Sequence, residues 1–69
     1  MSWKYQFIRF GEEDNSFIEL NEVYYTEGKP THYCRASVSG ETLESIQWVV
    51  EQIQKAYILP ILTEQDFKS

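Results

Sequence analysis

The sequence predicts an α+β domain: a three-stranded antiparallel sheet followed by one helix packed on one face, with a short C-terminal strand as a further element. Three observations predict it. Residues 3–38 hold three runs of two-residue alternation separated by turn-forming clusters. At Ser39-Gly40 the apolar spacing changes to a helical period. Pro60 then disfavours helical geometry at Leu59 and ends the helix.

The first strand runs from Trp3 to Phe10. Trp3, Tyr5, Phe7 and Arg9 point one way, and Lys4, Gln6, Ile8 and Phe10 the other. Gly11-Glu12-Glu13-Asp14-Asn15-Ser16 is a turn by composition. Phe17 to Tyr25 is the second strand, rich in aromatic and β-branched residues. Ile18, Leu20 and Tyr24 share one of its faces; Phe17, Val23 and Tyr25 share the other. Glu27-Gly28-Lys29-Pro30 is the second turn. Thr31 to Val38 is the third strand, with His32, Cys34, Ala36 and Val38 on one face.

Thr42 is suited to cap the helix, because its hydroxyl can accept from the unpaired amides of the first turn. Glu41 and Glu44 flank the positive end of the helix dipole. Leu43, Ile46, Val49, Val50, Ile53, Ala56 and Tyr57 form the apolar stripe. The helix should end near Tyr57 or Ile58. Leu59 to Thr63 is then extended, and Glu64 to Ser69 is a polar tail in which Phe67 can serve as an anchor. Residues 1–69 are expected to form a single domain, since the length suits one and is too short for two.

Bulk properties narrow the function. The net charge is -5, and the six basic residues are scattered singly along the chain. No basic stripe exists to neutralise a phosphate backbone, so no direct nucleic-acid binding is expected. No apolar run approaches the roughly 20 residues needed to cross a bilayer, so no membrane association is expected. The single cysteine rules out an intramolecular disulfide. With no apolar signal region at the start, a cytoplasmic location is expected.

Candidate chemistry is sparse. His32 and Cys34 lie two apart on one strand face, the arrangement of an activated thiolate, but nothing supplies an orienting third group. Packing under the helix is the stronger reading for Cys34, as a small buried hydrophobe. Glu12, Glu13 and Asp14 lack the ligand offsets of a calcium loop and read as a solvated turn. Glu19 and Glu22 can pair with Arg9 or Arg35 across strands. The chain is therefore expected to be no enzyme, with no catalytic residue, metal site or cofactor.

Trp48 does not fit the core. It lies away from the apolar stripe, among Glu44, Glu51, Gln52 and Lys55, and exposed Trp is enriched in interface hot spots. One helix also covers only one sheet face. Trp3, Tyr5, Phe7, Phe17, Tyr25 and Tyr33 cannot all share that face with Ile18 and Leu20. Trp48, Glu44, Gln52, Trp3, Tyr5, Tyr25 and Tyr33 are thus the candidate protein-interface residues. A symmetric homodimer is the simplest way to cover Trp48 and the helix-free face.

Several short segments carry a resemblance. They are Trp3-Lys4-Tyr5 with Arg9, Asn21-Glu22-Val23-Tyr24-Tyr25, Gly28-Lys29-Pro30, Ser39-Gly40-Glu41-Thr42-Leu43-Glu44 and Pro60-Ile61-Leu62. Together they resemble a family of small bacterial proteins of similar length, across nearly the whole chain. That family has no assigned activity, so the resemblance implies fold and not function. The chain departs from it at Ile46-Gln47-Trp48-Val49-Val50, where family members are more charged. Gly40 to Glu44 also resembles the sheet-to-helix junction of HicB-type antitoxins, without an appended DNA-binding segment. The expected function is a small non-enzymatic protein-interaction module. The alternative is an inhibitor or antitoxin-like protein acting on a partner enzyme, with an acidic face that imitates nucleic acid.

Overall fold

The computed structural model describes residues 1–68. Ser69, the last residue of the expected tail, and the side chain of Glu13, within the acidic turn, lie outside the described residues. The fold is α+β, a four-stranded mixed sheet with one helix. β1 is Ser2–Phe10, β2 Phe17–Thr26, β3 Lys29–Arg35, α1 Leu43–Gln54 and β4 Leu62–Thr63. The sheet order is β3-β2-β1-β4, antiparallel except for the parallel β1–β4 pair.

The β1–β2 hairpin is in continuous register from Ser2↔Tyr25 to Phe10↔Phe17. This register sorts the aromatic residues by face. Trp3, Tyr5 and Phe7 share a face with Tyr24, Glu22 and Leu20, while Ile8 and Phe10 share the other with Glu19 and Phe17. The turn between the strands closes on Asn15 N–H donating to the Glu12 carbonyl at 2.7 Å. Gly11 sits there at φ +89°, and a Cβ would meet the Asn15 carbonyl oxygen at 2.5 Å.

β3 begins earlier and ends earlier than the sequence reading has it. Glu27 (φ 53°) and Gly28 (φ 79°) are both left-handed, so they alone form a tight hairpin loop, and Thr26 pairs at once with Lys29. Pro30 is then inside β3, where the edge position spares it a lost ladder bond. The register shifts between Tyr24↔His32 and Tyr25↔Pro30, leaving Thr31 as a bulge. Its hydroxyl donates to the Tyr24 carbonyl at 3.2 Å. Beyond Arg35 one further bond, Ala36 N–H to the Leu20 carbonyl, precedes the irregular crossing to the helix.

Thr42 caps α1 as expected, its Oγ1 accepting from Ser45 N–H at 3.1 Å. The helix passes at Lys55 into a 3-10 turn, Lys55–Ile58, and Leu59 is extended ahead of Pro60. Among the strands, α1 approaches β1 alone. No residue of α1 is fully buried; Ala56, in the turn that follows, is.

That narrow contact corrects one expectation. Cys34 lies on the helix side of the sheet, opposite Glu22, yet it is exposed, because the helix stops short of β3.

The second sheet face carries the better-buried core. Ile8 and Val23 are fully buried there, with Gln6 and Asn21. The C-terminal segment supplies the cover. It passes the β1 edge, where β4 pairs with Ile8 and Arg9, and a 3-10 turn, Glu64–Phe67, returns across the sheet to β3. Phe67 packs on Tyr33 at 4.8 Å between ring centroids, and Tyr33 on Phe10 at 5.4 Å. Gln6 fixes the crossing point. Its Nε2 donates to the Pro60 carbonyl at 2.9 Å, while its Oε1 accepts from the Tyr25 hydroxyl.

Candidate protein-binding cleft

An open, mainly apolar cleft of about 510 Å³ lies between the start of β1 and the end of the helix. Trp3, Lys4 and Tyr5 form one wall, Trp48, Gln52 and Lys55 the other, and Ile58 with Leu59 lies along it. Each wall follows from a simple periodicity. Trp3 and Tyr5 are two apart on a strand and share a face. Trp48 and Gln52 are four apart on a helix and stack along one side.

The walls are aromatic and partly wet. Trp48 is 52% exposed and Trp3 45%, while Tyr5 is buried. Trp3 meets Tyr5 edge-on at 5.2 Å and leans on Tyr24 at 6.4 Å. Two lysines meet the cleft. Lys4 lies over the Tyr25 ring at 4.7 Å, and Lys55 Nζ donates to Gln52 Oε1 at 3.4 Å. The β1 backbone beside the cleft has no strand on its outer side, since β4 pairs only with Ile8 and Arg9.

Glu22 organises the polar ground next to this wall. Its Oε1 accepts from the Tyr24 hydroxyl at 2.8 Å and faces Cys34 Sγ at 3.8 Å. The hydrogen bond to Glu22, with desolvation and the Cys34 thiol behind it, pushes the Tyr24 pKa up to about 12. Tyr5 is raised as well, chiefly by burial and then by the Glu22 charge. Both hydroxyls therefore keep their protons, and that of Tyr24 is donated to Glu22. His32 Nδ1 lies 3.1 Å from Thr31 Oγ1, so imidazole and thiol each face another group rather than one another. Among the described residues no three His, Cys, Asp or Glu side chains converge as metal ligands. Among the described residues no helix is long and apolar enough to cross a membrane.

Of the candidate interface residues, the structure brings four together: Trp3, Tyr5, Trp48 and Gln52. Glu44 is exposed one turn before Trp48 and does not line the cleft. Tyr25 and Tyr33 are on the opposite sheet face, engaged with Gln6 and with Phe67. Lys55, Ile58 and Leu59 complete the cleft although sequence reasoning did not single them out. The available signal was Pro60, which forces the helix to close in a 3-10 turn and so aims those side chains.

Glu19 realises one of the expected cross-strand pairs, with Arg35 Nε at 3.1 Å from its Oε2, on the face away from the cleft. Compared with family models, with curated proteins and with solved structures, the chain matches none.

Proposed function

We propose that this chain is a small non-enzymatic protein-interaction module that binds an extended segment of a partner protein in the Trp3–Trp48 cleft. The observation that carries the reading is the juxtaposition of two half-exposed tryptophans with an unpaired strand edge. An unpaired edge offers backbone groups for strand addition, and an adjoining apolar cleft takes alternate side chains of the added strand. Trp is also the residue type most enriched where interfaces gain their energy. Lys55 at the wall favours an acidic side chain on the bound segment.

Selection of displayed peptides on the immobilised chain tests this reading. Selected peptides should be apolar with an acidic residue, should change the tryptophan fluorescence, and should bind Trp48→Ala at least about tenfold more weakly. Failure to select any binder, or binders indifferent to both Trp48→Ala and Trp3→Ala, overturns it. The inhibitor reading is the special case in which the natural partner is an enzyme that loses turnover on binding.

A further inference from the structure

The apolar stripe of α1 is wider than its own sheet uses. Val49 and Ile53 are half-buried, and the 3-10 turn after the helix carries the buried Ala56. Beside them runs a second line: Leu43, Ile46, Val50, Ile53 and Tyr57. Within the helix its spacing is three, four, three, the a/d seam of paired helices, and Tyr57 follows in the 3-10 turn. Leu43 is 84% exposed, Val50 39% and Tyr57 75%. Past Tyr57 the line runs into a shallow apolar hollow of about 270 Å³, lined by Phe7, Ile18, Leu59 and Ile61.

We infer that this seam pairs with a second copy of the chain, the two α1 helices antiparallel across a twofold axis. Three observations name that occupant. A monomer of 8.2 kDa is expected to expose roughly 4,500 Å², whereas this chain exposes 5444 Å², an excess of about 900 Å². A standard interface takes about 800 Å² from each partner, so one twofold contact accounts for the surplus. The open flank of the seam is also neutral. Gln47 and Gln54 border it, while Glu44 and Glu51 lie further round the helix, so two chains of net charge -5 can meet there without like charges opposed. Finally, an antiparallel pair puts the outstanding Leu43 of each copy at the Tyr57 end of the other, beside the hollow.

This pairing uses a different helix side from the Trp48 cleft and leaves two clefts open per dimer. It therefore stands or falls separately from the proposed binding function. Light scattering and sedimentation at concentrations up to about 100 µM should give a mass twice 8.2 kDa. Leu43→Glu and Val50→Asp should each weaken the dimer by about 100-fold. Trp48→Ala should leave it intact. Leu43 is so exposed that Leu43→Glu keeps the fold, which circular dichroism verifies. A wild-type chain that is monomeric throughout, or a dimer indifferent to Leu43→Glu, overturns the inference.

Discussion

Phe67 lies edge-on against Tyr33, their rings 4.8 Å apart, and through that contact the last turn of the chain is fastened to the strand farthest from β4. Removing the ring should loosen the turn that lies across β1 and β3. Phe67→Ala should lower the unfolding free energy by about 2 kcal/mol, the scale for truncating a partly buried aromatic. The urea midpoint measures it. A change within error of zero would mean that the tail does not hold the core.

Gln6 joins the crossing segment to the sheet through the Pro60 carbonyl and the Tyr25 hydroxyl. Gln6→Leu keeps most of the volume but leaves both partners without it. The expected loss is about 1 kcal/mol, since Tyr25 is half-buried and Pro60 exposed, so water can replace part of what each partner loses. Amide exchange at Leu62 should accelerate more than exchange in the β1–β2 hairpin. Uniform acceleration would refute a local clamp.

Tyr24 gives the pH dependence its direction. Its pKa rises from 10.0 unfolded to about 12 folded, and Tyr5 and Tyr25 move the same way. The folded state thus holds these protons more tightly than the unfolded chain does. The stabilisation is complete below pH 10 and is lost as pH rises through about 12. Absorbance near 295 nm, roughly where tyrosinate absorbs, should show a late-ionising tyrosine that Glu22→Gln shifts back toward pH 10. An unchanged titration in that variant would contradict the assignment to the Glu22 hydrogen bond.

Cys34 is exposed, its sulfur 3.8 Å from Glu22 Oε1 and beside the Tyr24 hydroxyl. A thiol reagent should therefore modify the native protein with one equivalent before any denaturant is added. Cys34→Ser should shift stability by less than about 0.5 kcal/mol, as for surface substitutions generally. Labelling that waits for unfolding would show the thiol to be covered.

Glu27 occupies a left-handed conformation, φ 53°, in the two-residue β2–β3 turn. Asn tolerates that region and favours this turn before Gly28. Glu27→Asn should raise stability by about 1 kcal/mol, read from the thermal midpoint. A destabilised variant would count against the turn geometry.

Much of the fold was legible because its signals are local. The strand alternation, the Thr42 cap and the Pro60 stop each act within a few residues, and the elements follow in the expected order, with β3 shifted toward Lys29 and the helix finishing as a 3-10 turn. What stayed hidden depends on distance along the chain. Both faces of β1 are apolar, so periodicity alone could not say that Ile8, rather than Tyr5, would head the better-buried side. The cover on that side comes from the C-terminal turn, whose Phe67 packs on Tyr33 from a segment that is otherwise polar. Parity placed Cys34 on the helix side correctly, but burial there depends on how far the helix reaches across the sheet. Trp48 stood out as misplaced on a polar helix side, whereas its neighbours Trp3 and Tyr5 come from the far end of the sequence.

The bulge at Thr31 and the proline beside it make the two margins of the sheet unequal. At the β3 margin a ring replaces one amide hydrogen and the strand is kinked, so a neighbouring chain finds no regular ladder to join. At the β1 margin, no strand pairs with the outer side of Ser2 to Phe7 among the described residues, although Gln6 reaches the Pro60 carbonyl there. A strand added as proposed has one side to join, and its arrival uses up the vacancy. Stacking of copy upon copy into a fibre needs two receptive margins on every molecule, and this sheet presents one.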